Sequence, residues 1–110
     1  MASAESPATG HSTGLPDNVL QDLQRIFANH PVVERVVLYG SRAKGNFRPN
    51  SGIDLMVIAP KISWREFNQM ETEIDDLLLP WKVDLALEHQ VENDELLAHV
   101  RRVGIPLDDR

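Results

Sequence analysis

Two aspartates stand inside apolar runs of this 110-residue chain and could do chemistry: Asp54 within Ile53 to Ile58, and Asp84 within Lys82 to Glu88. A carboxylate held in a strand can bind a hard cation, because such ions take oxygen ligands. Upstream, the run Val36-Val37-Leu38-Tyr39 ends at Gly40-Ser41, and Gly40 to Leu55 reads GSRAKGNFRPNSGIDL. A glycine-serine turn between two strands is a place to hold phosphate, since successive backbone N–H groups there can face one anion. Arg42, Lys44 and Arg48 cluster beside the turn and make the local charge positive. Taken alone, those charges fit a solvated basic loop at least as well. Taken with the glycine, the hydroxyl and the two carboxylates, they point to nucleotide chemistry.

The elements that must position these residues follow from periodicity. Strand side chains alternate, so Ile53, Leu55 and Val57 share one face and Gly52, Asp54 and Met56 the other. In the later run, Val83, Leu85 and Leu87 oppose Asp84 in the same way. If these two strands are neighbours, both carboxylates project to one side. Pro16 to His30 reads as a helix with the stripe Val19, Leu20, Leu23, Ile26 and Phe27, stopped by Pro31. Val33 to Tyr39 reads as a strand, and a short helical turn is expected from Ser41, followed by an irregular loop over Asn46 to Ser51. Ser63-x-x-Glu66 matches a capping box. The helix it opens carries Trp64, Phe67, Met70, Ile74, Leu77 and Leu78 as its apolar stripe, with both aromatics in the core, and Pro80 ends it. Asn93 caps a last helix over Asp94 to Arg102, with Gly104 as its stop and Ile105-Pro106-Leu107 as a short extended tail. The order predicts an α/β (α+β) fold: a small mixed β-sheet, helices packed mainly on one face, and the site on the open face.

Composition bounds the rest. Residues 1–14, MASAESPATGHSTG, are small, polar and broken by Pro7, Gly10 and Gly14, and read as a disordered tail. Residues 15–110 suit a single domain. A net charge of −6 with pI near 5.1 argues against general nucleic-acid binding, which leaves a basic footprint. The absence of cysteine rules out disulfides and thiol chemistry and fits a cytoplasmic location. His11, His30, His89 and His99 show no metal-ligand spacing and read as surface or helix-end residues. No apolar run approaches the ~18 residues needed to span a bilayer. The N-terminus lacks the pattern of a secretory signal.

The constellation resembles the minimal nucleotidyltransferases, small relatives of the DNA polymerase beta superfamily. Their pattern is Gly-Ser, ten residues, Asp-x-Asp in a strand, and a third Asp in a later strand. Here Gly40-Ser41 is followed by the ten residues Arg42 to Ser51, then Gly52-Ile53-Asp54, with Asp84 in the later run. The resemblance covers roughly Asp17 to Pro106 and implies a nucleotidyltransferase-like fold. It also implies transfer of a nucleoside monophosphate from a triphosphate, ATP foremost, to a hydroxyl, with one or two magnesium ions. Carried over by position, Gly40 and Ser41, with Arg42 and Lys44, contact phosphate. Asp54 and Asp84 are the catalytic and metal-binding acids, and Asp84 assists deprotonation of the acceptor.

Gly52 departs from the pattern by standing where the first carboxylate belongs. That leaves three readings: a dead site, a site holding one magnesium–nucleotide with weak turnover, or a variant of an active parent. The resemblance further implies an antitoxin role beside an all-helical HEPN-type partner, which would supply the acceptor hydroxyl. The alternative is a catalytically impaired binding subunit of such a pair. Self-association remains open.

Overall fold

The computed structural model of the chain describes residues 13–107. In chain order the elements are α1 (Asp17–Ala28), β1 (Arg35–Tyr39), α2 (Ser41–Lys44), β2 (Ile53–Ile58), α3 (Trp64–Asp75), β3 (Val83–Leu87), a 3-10 turn (Glu88–Gln90), α4 (Asp94–Val103) and β4 (Ile105–Pro106). The sheet is mixed, with strand order β3-β2-β1-β4. β2 pairs antiparallel with β1 and parallel with β3, while β4 adds antiparallel to β1. The parallel pair needs a crossover, and α3 supplies it.

Local signals account for the helix boundaries. The Ser63 hydroxyl accepts the Glu66 N–H at 3.1 Å, and Asn93 Oδ1 accepts the Leu96 N–H at 3.1 Å, so both predicted caps satisfy an orphan amide. Helix α1 stops at Ala28, two residues short of the expected His30, because the chain must turn before Pro31. The core fills the space between the sheet and α1 and α3. Leu23, Ile53, Leu55, Val57 and Met70 expose nothing, and Phe27, Phe67 and Ile74 close around them. Each such side chain contributes about 1.5–3 kcal/mol relative to exposure.

Four expectations need correcting. First, the second face of the sheet is not open. Val37 and Met56 lie there, paired across β1 and β2, and both are buried. Helix α4 covers that face: the backbone at Gly104 approaches Val37 and the Val100 carbonyl so closely that a methyl at position 104 would overlap both. A ten-residue helix with one apolar stripe must cover something, and the first face was already taken by α1 and α3. Second, Trp64 is 62% exposed, although it meets the buried Phe67 edge-on at 5.7 Å. It is the first residue of α3, and only its edge reaches the core. Third, α3 ends at Asp75, and Leu78 follows in the left-handed region (φ 56°) at 85% exposure, off the stripe. Fourth, Thr13 is buried and Gly14 lies against Phe47 and Arg42, so the ordered domain begins before residue 15. The remainder of the predicted tail, residues 1–12, lies outside the described residues.

Candidate functional site

Tyr39, Asp54 and Asp84 form one row across three strands. Tyr39 is the register partner of Asp54 on β1, and Asp54 is the partner of Asp84 on β3. Register partners on neighbouring strands point to the same face, so the two carboxylates stand side by side, as the alternation predicted. The row lies at the end of β1 where the chain turns at Gly40.

Gly40 is required at that turn. Its φ of 78° is one that side-chain-bearing residues rarely adopt, and a methyl there would overlap Asp54 Oδ2. The glycine therefore lets the carboxylate lie directly against the backbone of the turn. Ser41 opens the four-residue α2, and Gly45, in the left-handed region, closes it with its N–H bonded to the Ser41 carbonyl at 2.9 Å. Lys44 is exposed at the end of this turn.

Arg42 departs from its predicted role. It is one of the most buried residues in the molecule, at 1% exposure. Its Nη1 donates to the Thr13 carbonyl at 2.6 Å, while Nε and Nη2 donate to the Ser51 carbonyl at 3.2 and 2.8 Å. A longer bond joins Nη2 to the Pro49 carbonyl at 3.4 Å. The Phe47 and Trp81 rings lie 5.0 and 5.4 Å from the guanidinium carbon. This group is committed to tying the loop between α2 and β2 to the N-terminal segment. A planar, five-donor cation suits several carbonyls at once, and no phosphate is needed to explain it.

The electrostatics of the row follow from its geometry. Burial pushes the Asp54 carboxyl above its ordinary range, the neighbouring Asp84 pushes it further, and His99 offsets part of the rise. Burial likewise raises the Tyr39 phenol, with Asp54 and then Asp84 adding to it. Two oxygen donors that repel each other would be relieved by a divalent cation, and magnesium is commonly bound by one or two carboxylates with phosphate completing its shell. The donor set fits one such ion. Among the described residues no three His, Cys, Asp or Glu side chains gather where they could hold a metal. Gly52 is expected to stand where a carboxylate belongs, and nothing in its backbone demands glycine. Its φ lies outside the left-handed region, and a Cβ would stand 3.2 Å from the Lys82 carbonyl, a contact that a shift of a few tenths of an ångström relieves. Lys82 also places its ammonium 3.7 Å from Asp84, where both side chains are well exposed.

Tyr39 and His99 also belong to this site. In sequence Tyr39 is only the end of a strand, although its place next to Gly40 puts it beside the turn. His99 was taken for a surface residue. It projects from α4 onto the row: its Nε2 accepts the Gly40 N–H at 3.2 Å, and its ring meets Tyr39 edge-on at 6.2 Å. The available signal was its spacing, three residues after Leu96 and four before Val103, on the helix's apolar stripe. His30, also read as a helix-end residue, is instead buried between Glu66 and Glu73, with each ring nitrogen 2.8 Å from a carboxylate. A cavity of about 360 Å³ beside His30, lined by Phe27, Arg35, Val36 and Leu107 among others, shares no residue with the row.

The family model described as polymerase beta nucleotidyltransferase matches residues 21–110. No curated protein matches the sequence. Among solved structures, a toxin–antitoxin crystallised with AMP-PNP is 25% identical with a TM-score of 0.64, over 87% of this chain and 75% of that one. The MNT antitoxin in complex with a tri-AMPylated HEPN toxin from Shewanella oneidensis shares the fold at 18% identity and a TM-score of 0.62, over 86% of this chain and 72% of that one.

Proposed function

The chain belongs to the polymerase beta nucleotidyltransferase family, and from that premise we propose that it binds a nucleoside triphosphate, ATP foremost, between the Gly40–Ser41 turn and the Asp54–Asp84 pair and transfers the nucleoside monophosphate to a hydroxyl on a partner protein. The observation that carries this reading is the register row: Asp54 lies against the backbone of Gly40 and beside Asp84, so a phosphate on the turn would lie next to both carboxylates.

In the reaction, the acceptor hydroxyl oxygen forms a bond to the α-phosphorus, the bond from that phosphorus to the bridging oxygen breaks, and pyrophosphate leaves. Asp84, the more exposed acid on the edge strand, takes the hydroxyl proton. Asp54 and Asp84 would hold magnesium, which would neutralise charge on the phosphates. Ser41 and the amides of the turn orient the triphosphate. The acceptor must approach from the β3 edge, because α4 covers the sheet on the β1 side.

A HEPN-type helical protein is the partner we favour, since structural neighbours of this chain are antitoxins solved with such toxins. Gly52 supports a second reading within the same pair: a subunit that binds nucleotide and toxin while turning over weakly, because one carboxylate is missing from the centre of the site.

A transfer assay with α-labelled ATP, magnesium and a co-expressed HEPN-type protein separates the two. Label should pass to the partner slowly with the natural chain, at least tenfold faster with Gly52→Asp, and not at all with Asp54→Asn. Equal, robust rates for the natural chain and Gly52→Asp would show the third carboxylate to be dispensable. Toxin binding with no label in either would favour the binding subunit.

A further inference from the structure

His99 reaches from α4 to the turn assigned above to phosphate, and its Nε2 accepts the amide of Gly40. That amide is an unusual donor. In sheets and helices a backbone N–H is ordinarily satisfied by another backbone carbonyl. Gly40 instead follows the last residue of β1 in a left-handed conformation, outside the β1–β2 ladder, and its acceptor is an imidazole 59 residues away. The acceptor atom is Nε2, so that nitrogen carries no proton while the bond is made. The ring is oriented by its edge-on contact with Tyr39, the first member of the acidic row.

The helix that carries His99 is lightly held. None of its ten residues is buried, and Leu96, Leu97 and Val100 are only half covered. Its C-terminal end is pinned where Gly104 packs on Val37 and β4 joins β1. A side chain on this helix can therefore leave the turn at modest cost, without disturbing the core beneath the other face.

We propose that His99 and a bound phosphate compete for the Gly40 amide, so that α4 sets the affinity of the turn. This rests on the assignment of the Gly40–Ser41 turn to phosphate. A phosphate oxygen and an imidazole nitrogen cannot both accept one N–H in good geometry. Charge-assisted bonds to phosphate are stronger than a neutral N–H to nitrogen bond at 3.2 Å. Phosphate therefore wins the amide, and the lost imidazole bond lowers the net affinity. His99 is on this account a positioning residue, acting through Gly40 and not on the reacting atoms.

The test uses the full chain with magnesium and AMP-PNP as the probe, in the natural form, His99→Ala and His99→Gln. Alanine removes the acceptor. Glutamine restores an acceptor oxygen at about the reach of Nε2. Without nucleotide, the Gly40 amide proton resonance should move in His99→Ala and return towards its natural position in His99→Gln. By calorimetry, His99→Ala should bind AMP-PNP about two- to tenfold more tightly, the range that one net hydrogen bond spans, with His99→Gln close to the natural chain. Equal affinities in all three, or weaker binding by His99→Ala, would overturn the inference and leave the nucleotide site standing. Absence of binding in all three would remove the site itself, and the inference with it.

Discussion

On one face of the sheet Ile53, Leu55 and Val57 expose nothing, and two helices close over them. On the other face, alternate residues of the same strands place Asp54 next to Asp84 and Tyr39, beneath one helix with no buried residue. The first face gains free energy from every side chain it removes from water. The second spends some of that gain, since it draws two like charges together and partly desolvates one of them. The two faces of this 110-residue chain divide the labour. Apolar burial on one side holds the strands in register, and the register holds repelling carboxylates together on the other.

The widest gap between the faces should be seen in single-residue truncation. Leu55→Ala should cost about 2–5 kcal/mol in denaturant unfolding, the range for emptying a packed leucine site. Leu97→Ala, on the half-covered α4, should cost about 1 kcal/mol. Similar losses at the two positions would break the comparison.

Arg42 tests the boundary between structure and site. Arg42→Met should cost about 2–4 kcal/mol, because it removes a buried cation from the carbonyls of Thr13, Pro49 and Ser51 and leaves them short of donors. Triphosphate affinity of the folded fraction should change little. Unchanged stability with lost nucleotide binding would return Arg42 to the phosphate site.

Asp54 sharpens the comparison in the opposite direction. Its carboxyl pKa is raised in the fold, so the folded protein holds this proton more tightly than the unfolded chain does. Stability from this group is therefore greatest at low pH and is lost as pH rises past the ordinary aspartate range and through the raised value. Asp54→Asn should raise the thermal midpoint modestly at pH 7 while abolishing transfer. A lowered midpoint would mean that the carboxylate stabilises the fold.

The smallest effect lies on the core side, where His30 bridges Glu66 and Glu73. Burial opposes its charge, but the bonds to both carboxylates and their charges outweigh that, and the imidazole pKa is raised above 6.5. Its contribution is complete below the ordinary value and is lost as pH rises through the raised one. Glu73 is held below 4.5, chiefly by its bond to His30, against some desolvation. Its contribution is present above 4.5 and is lost as pH falls through the lowered value. The clamp is thus strongest between about pH 4.5 and 6.5. His30→Gln should flatten the stability profile across that window, as followed by thermal unfolding. A profile unchanged by the substitution would show that the clamp is idle.

Much of this molecule was legible in advance because the signals were local. Alternation in Ile53 to Ile58 assigned Asp54 its face, Ser63 and Asn93 marked two helix starts, and the Gly40-Ser41 spacing located the turn. Arg42 is not legible in this way, because a basic residue beside a glycine turn has two uses and sequence does not reveal which acceptors surround it. His30 and His99 were passed over for the same reason. Each is defined by partners 36 to 59 residues away.

Periodicity and residue identity, both properties of the chain, suffice for the elements, the apolar side of each strand and the absence of a carboxylate at Gly52. Only the tertiary structure decided that α4 crosses to the second face, that Arg42 is a buried tie, and that His99 reaches Gly40. Those outcomes depend on which surfaces the other elements occupy, and on contacts between segments that no local pattern links.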